Sequence, residues 1–154
     1  MWTLHNEIQG AARELDLGNE RFHRLDEHRE HKVLQDVKRH FLTDAEAVRW
    51  WECFRYPAES RRFRNPRKLL PDLCPNDGKK IWFIPCGHDE GVYDTLPDVA
   101  MRVLAACLVF TYAVVDKKLE WMLLENRLGL MFATGEKAIN RLREMRAENQ
   151  STTR

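Results

Sequence analysis

Apolar residues recur at steps of three and four along the first forty residues, which is the spacing of one helix face. This spacing predicts a first helix over residues 4–15 and continues over 20–42. The second region is predicted to be either one helix with an exposed middle or two helices that meet at the charged run 26–32. Thr43 and Glu46 then form a capping-box pattern, which predicts a further short helix.

The segment 55–80 differs from the helical part in its composition. It carries eight Lys or Arg residues against three acidic ones, and it contains four of the six prolines of the chain. Proline has no backbone N–H group and disfavours helix at the residue before it. We therefore predict an irregular, basic connection here rather than a compact regular element.

Apolar runs after residue 80 predict strands. The predicted strands cover residues 80–84, 111–115, 119–125 and 128–134. Short turns join the last three strands, so they must pair antiparallel. A helix is predicted over 99–110, with Thr95 and Asp98 as a second capping box, and another over 136–148.

Together these elements predict a single α+β domain over residues 1–148, followed by a frayed tail at 149–154. We expect an antiparallel sheet of about four strands, with a meander near the C-terminus. Helices at both ends of the chain would cover one face of this sheet.

Composition and charge narrow the class of protein. The 154 residues are 44% apolar with a net charge of +1, which is typical of a soluble globular protein and not of a globally basic nucleic-acid binder. The longest apolar run, 103–110, is too short to span a bilayer. Because the start of the chain has no signal-type apolar stretch, we expect a cytoplasmic protein with four reduced cysteines and no membrane contact.

Histidines and cysteines are the candidate metal ligands. They are His23, His28, His31 and His40 in the second helical region, and Cys74, Cys86 and His88 further along. Neither an H-E-x-x-H motif nor a close cysteine pair occurs, and there is no glycine-rich phosphate loop. A Cys86 nucleophile with His88 as its base would need a third, orienting group. We therefore expect no metal, no cofactor and no catalytic residue.

Two charged segments are candidate binding surfaces. The first is acidic and has a tyrosine that could anchor a basic protein partner; its residues are Asp89, Glu90, Tyr93, Asp94 and Asp98. The second is basic and mixes arginines with aromatic rings, as nucleic-acid-binding segments do; its residues are Arg61, Arg62, Arg64 and Lys68. Each segment has an alternative explanation as a solvated loop whose charges pair within the same fold.

The C-terminal hairpin resembles an uncharacterised family of small bacterial α+β proteins. The matching segments are 112–118, 120–126, Gly135, 50–54 and 81–84. The likeness covers residues 45–142 and departs at 126–128, where the family has histidines after the asparagine. Such proteins are similar in size and fold to the immunity proteins encoded beside secreted bacterial toxins.

The resemblance implies a protein that binds another protein without catalysis. We expect an immunity-type inhibitor that neutralises a bacterial toxin, with the acidic segment as its binding surface. The alternative is a nucleic-acid-binding module that uses the basic segment.

Overall fold

The computed structural model describes residues 2–75, 78–87 and 89–152, and within them the chain forms five α-helices and one sheet of seven strands. The helices are α1 (Leu4–Glu14), α2 (Glu27–Phe41), α3 (Leu70–Leu73), α4 (Pro97–Ala105) and α5 (Glu136–Thr152). The strands are β1 (Phe22–Arg24), β2 (Ala58–Arg62), β3 (Ile81–Pro85), β4 (Tyr93–Thr95), β5 (Tyr112–Val115), β6 (Met122–Glu125) and β7 (Leu130–Thr134). None of these helices is long and apolar enough to cross a membrane.

The strands lie in the order β1-β4-β3-β5-β6-β7-β2, and every neighbouring pair is antiparallel. The α+β class and the antiparallel meander of β5, β6 and β7 are therefore confirmed. The expected number of about four strands is wrong, because β1, β2 and β4 complete the sheet. The helix α5 extends to Thr152 and takes in part of the predicted tail.

Strand β1 replaces the first part of the predicted second helical region. Phe22 pairs with Thr95 of β4, and its ring is buried. The helix begins only at Glu27, because the Asp26 side chain accepts a hydrogen bond from the backbone N–H of Arg29 and caps it. Hydrophobic spacing alone did not reveal that a strand further along the chain would pair with this segment.

Strand β2 lies inside the segment that was expected to be irregular. It pairs with β7 through five residues, from Ala58 opposite Thr134 to Arg62 opposite Leu130. An edge strand tolerates polar residues because one of its sides remains in solvent, and Pro57 lies just before the strand. The prediction of an irregular connection is therefore wrong for 58–62.

Helical segments cover both faces of the sheet, so the expectation of one covered face is wrong. The helices α1, α3, α4 and α5 pack on one face, and α2 and Trp50 pack on the other. Strand β3 has no polar face: Phe83 faces the first cluster and Trp82 the second. Strands buried on both faces are continuously apolar, and this explains the run in 81–84.

Neither predicted capping box begins a helix. After Thr43 the chain forms only a single 3-10 turn, Trp50–Glu52. Thr95 ends β4, and its hydroxyl donates a hydrogen bond to the carbonyl oxygen of Arg21. The helix α4 begins two residues later at Pro97, with no side-chain cap.

Candidate functional site

A groove lies at one end of the sheet, where several elements meet. Strands β5 and β7 end here and β6 and β2 begin here, as their antiparallel pairing requires. The last turn of α2 and the first turns of α5 reach this end from opposite faces of the sheet. The connection between β5 and β6 and the residues just before β2 complete the walls.

The groove has two adjoining parts that share His40, Tyr56 and Leu119. The larger part has a volume of about 750 Å³ and the smaller one about 500 Å³. Apolar atoms of the larger part come from Phe41, Pro57, Leu119 and Ile139. The Tyr56 side chain is 49% exposed, and its ring lies 5.7 Å from that of His40. An exposed ring beside apolar side chains is typical of a binding groove.

The turn between β5 and β6 fixes Leu119 in the groove. Asp116 organises this turn: its carbonyl oxygen accepts from the Leu119 N–H at 2.9 Å, and its carboxylate accepts from the Glu120 N–H at 3.1 Å. Leu119 has φ of 60°, a left-handed conformation that costs a non-glycine residue about 1–3 kcal/mol. The surrounding structure therefore holds an apolar side chain at this point against a local backbone preference.

Gly135 allows α5 to begin close to β6. Its φ is 92°, and a Cβ atom here would lie 2.7 Å from the Trp121 Cα and would also overlap the Glu120 carbonyl oxygen. Only glycine permits both this conformation and this approach. The position of the α5 wall of the groove therefore depends on this one residue.

Positive charge predominates in the smaller part of the groove. Arg39 and Arg55 line it together with one carboxylate, Asp36. Arg39 in the smaller part and Lys118 in the larger part form no hydrogen bond or ion pair with the part of the chain that the structure describes, and both are exposed. Unpaired cations beside an apolar wall favour a ligand that carries both an apolar group and a carboxylate.

The predicted acidic surface does not form a single exposed patch. Asp89 and Asp98 are exposed, but Glu90 pairs with Lys38 at 2.5 Å. Asp94 pairs with Lys117 at 2.7 Å, and the Lys117 ammonium also lies 4.3 Å from the centre of the Trp82 ring. Two of the four carboxylates thus have partners within the fold.

Tyr93, the predicted anchor of the acidic surface, is fully buried. Its hydroxyl lies 2.7 Å from His5 Nδ1, while His5 Nε2 lies 2.8 Å from the Asp89 carbonyl oxygen. Because a carbonyl oxygen only accepts, Nε2 carries the proton and Nδ1 accepts from the Tyr93 O–H. Tyr93 therefore cannot be an exposed anchor, since it holds α1 against β4.

The predicted basic surface is also divided. Arg61 and Arg62 are consecutive residues of β2, so their side chains lie on opposite faces. The Arg61 guanidinium packs over the Phe63 ring, and that of Arg62 donates to the Leu128 carbonyl oxygen at 2.6 Å. Arg64 and Lys68 are exposed.

The candidate metal ligands form no metal site in the described part of the chain, and the candidate thiol nucleophile is partly buried. Among the described residues, no three His, Cys, Asp or Glu side chains are placed to hold a metal ion, and His88 lies outside those residues. Burial raises the pKa of the Cys74 and Cys86 thiols above their ordinary value. Burial therefore disfavours the thiolate that a nucleophile requires.

Sequence reasoning missed the groove because its residues come from four separate segments. Tyr56 lies within the segment 55–80, which the sequence marks only as basic, and Leu119 begins the predicted strand 119–125. The one local signal was the glycine at 135, which ends the meander. A left-handed leucine leaves no trace in the sequence, since glycine or asparagine would be expected there.

Comparison with known proteins places the chain in a family but gives it no function. No curated protein and no solved structure matches it. The family model of DUF6756, a family of unknown function, matches residues 1–146, and so includes the N-terminal helices that the resemblance left out. Since the match covers nearly the whole sequence, this chain is a member of the DUF6756 family.

Proposed function

We propose that this protein is a non-enzymatic binding protein that holds a segment of another protein in the groove at the end of its sheet. The observation that carries the proposal is the exposed Tyr56 ring, which lines a groove of about 750 Å³ together with Leu119. Aromatic side chains in concave, partly apolar surfaces contribute strongly to protein interfaces. The fixed turn at 116–120 and Gly135 support the walls of the groove. Because these walls are already ordered, little conformational entropy is lost on binding.

The charges of the groove favour an acidic, apolar segment as the ligand. Arg39 and Lys118 are unpaired among the described residues, and a carboxylate of the ligand would give them partners. Asp36, Glu120 and Glu136 line the same groove and would repel the phosphates that a nucleic acid carries at every nucleotide. A peptide can instead place a single carboxylate beside Arg39 or Lys118 and apolar groups elsewhere. A polypeptide therefore fits better than a nucleic acid, and the expected partner is acidic at this point, not basic as the sequence had suggested.

The likeness to immunity proteins makes a bacterial toxin the first partner to test. The product of the gene adjacent to this protein's own is purified, and its binding is measured by calorimetry. We expect Tyr56→Ala to weaken binding about tenfold or more, since it removes a central aromatic contact. Leu119→Asn is expected to weaken it too, because asparagine keeps the left-handed turn but removes the apolar surface.

Leu128→Ala is the matched control, since Leu128 is a 71% exposed apolar residue outside the groove. It should leave the affinity unchanged. An adjacent gene product that is not a toxin, or that does not bind, would refute the immunity-type role. Equal effects of the Tyr56 and Leu128 variants would refute the groove as the site. Binding of an oligonucleotide that Tyr56→Ala abolishes would support the nucleic-acid alternative.

A further inference from the structure

Strand β2 forms one edge of the sheet and pairs on one side only. Its inner side pairs with β7, and no described strand lies on its outer side. A strand directs backbone N–H and C=O groups alternately to both sides, so the outer side of β2, which has no partner strand among the described residues, can pair with another strand. The strand has five residues, and alternate residues along it are exposed.

The sequence of β2 is complementary to itself in an antiparallel arrangement. When a two-fold axis passes through Ser60, Glu59 of one copy lies opposite Arg61 of the other, and the reverse pair forms on the far side of the axis. Glu59 and Arg61 are two residues apart, so their side chains share one face of the sheet. This register therefore forms two cross-strand ion pairs.

The neighbouring registers lack this complementarity. In a continuous antiparallel sheet, the side chains of two directly paired residues point to the same face. A two-fold axis perpendicular to the sheet must therefore pass through a residue. An axis between two residues would pair neighbouring residues, whose side chains point to opposite faces. An axis through Glu59 would place two glutamates opposite each other, and an axis through Arg61 would place two arginines opposite each other. Like charges directly opposite destabilise a sheet, which leaves the register centred on Ser60.

Both charged side chains are held by contacts on the same face of β2. The Arg61 guanidinium packs 5.7 Å from the centre of the Phe63 ring, and its Nε atom is buried with no hydrogen-bond partner among the described residues. The Glu59 carboxylate is oriented by Arg143, whose Nε lies 3.0 Å from both carboxylate oxygens. A carboxylate accepts several hydrogen bonds, so it can accept a second guanidinium.

We propose that two copies of this chain associate through β2, antiparallel and centred on Ser60, and form one continuous sheet. The Glu59–Arg61 pairs select the partner, and the backbone hydrogen bonds of the two edges supply the rest of the contact. This association does not depend on the proposed function, because it uses neither Tyr56 nor Leu119.

Sedimentation velocity over a concentration series tests the association. We expect the full chain to form a dimer whose dissociation constant rises about tenfold or more in Arg61→Glu, since both ion pairs become repulsive. Arg62→Glu is the matched control, because it makes the same charge change on the same strand but lies opposite Ala58. Circular dichroism of each variant verifies that the fold is retained.

A compensating variant makes the test specific for the pair. The compensating variant combines three substitutions: Glu59→Arg, Arg61→Glu and Arg143→Glu. The third substitution keeps opposite charges at residues 59 and 143, so their contact is preserved, and dimerisation should return.

Oxidative cross-linking tests the register of the two strands. Oxidation should cross-link Ser60→Cys more rapidly than Ala58→Cys, because only residue 60 lies opposite itself. A wild-type chain that stays monomeric at all concentrations would overturn the proposal. So would equal effects of Arg61→Glu and Arg62→Glu, or equal cross-linking at 58 and 60.

Discussion

Single residues decide how the groove end of the sheet is built. Gly135 brings α5 against β6, and Leu119 holds a left-handed turn that places an apolar side chain between the two parts of the groove. Neither conformation is required by hydrophobic patterning. The Gly135 conformation accompanies its close approach to Glu120 and Trp121, whereas the Leu119 conformation belongs to the turn that Asp116 organises.

Replacing Gly135 by alanine should be strongly destabilising. The Cβ would meet backbone atoms of Glu120 and Trp121, which cannot move as a flexible side chain can. We expect a loss of more than about 3 kcal/mol in the free energy of unfolding, measured by chemical denaturation. Gly78→Ala is the control, because Gly78 also has a positive φ, 81°, but has open space around it. It should cost only about 1 kcal/mol, and equal losses would show that close packing at 135 contributes nothing.

His5 is a second residue whose surroundings determine its behaviour. Burial, and then the charge of Arg24, lower the pKa of His5 below its ordinary value of 6.5, although Glu30 and Asp89 act in the opposite direction. Tyr93, the remaining group at the ring, donates to the neutral form. The folded protein therefore favours the neutral imidazole.

This shift predicts that stability falls on acidification. The contribution of neutral His5 is fully present above the unfolded pKa of 6.5 and is lost as the pH falls through the lower folded pKa, since the unfolded chain then binds more protons. We expect the difference in unfolding free energy between wild type and His5→Gln to shrink between neutral and mildly acidic pH in urea titrations. A difference that stays constant across this range would contradict the prediction.

At the scale of elements, the pairing of β5 with β6 is held by a buried hydrogen bond. Tyr112 lies opposite Glu125, and its hydroxyl donates to Glu125 Oε1 at 2.8 Å. Arg67 Nε lies 3.7 Å from the same oxygen. Burial raises the pKa of Glu125, while the Tyr112 and Arg67 contacts act to lower it. A shift of one residue in this pairing would move Glu125 to the other face and break both contacts.

Tyr112→Phe should therefore destabilise the fold by about 1–3 kcal/mol, since it leaves a buried carboxyl group without its donor. Denaturant unfolding of Tyr112→Phe, of Glu125→Leu and of the double variant gives the coupling energy between the two side chains. Leucine removes the acceptor that glutamine would keep, so the double variant should lose less stability than the sum of the two single losses. Additive effects would mean that the hydrogen bond does not stabilise the pairing.

The elements that the sequence predicted well are those with a strong local signal. The helix over 4–15, the three strands of the meander and the C-terminal helix all have periodic apolar positions and short connections. Strands β1 and β2 were missed because each is short or polar and is stabilised by hydrogen bonds to a strand far along the chain. Such pairing is a property of the fold and not of the segment.

At the scale of the whole molecule, the sheet separates two apolar clusters but also links them. Trp121 belongs to the cluster under α1, α3, α4 and α5, and Trp50 belongs to the cluster under α2. Strands β3, β5 and β6 contribute alternate residues to both clusters. Losing one cluster would therefore expose one side of the strands that support the other.

We expect the two clusters to unfold together. In fluorine NMR of protein labelled with fluorotryptophan, the native signals of Trp50 and Trp121 should disappear at the same denaturant concentration, as in a two-state transition. The exposed Trp2 is the reference for a side chain outside both clusters. Separate midpoints for the two buried tryptophans would show that each layer is an independent unit.

The sequence by itself determined the α+β class and the antiparallel meander, because apolar periodicity and turn residues act over short distances. Only the tertiary structure decided which charged residues are paired and which are exposed. Tyr93 entered the core because β4 lies beneath α1, while Tyr56 remained at the surface of a groove built from four segments. Burial and charge pairing depend on contacts between distant segments, and no local pattern encodes those contacts.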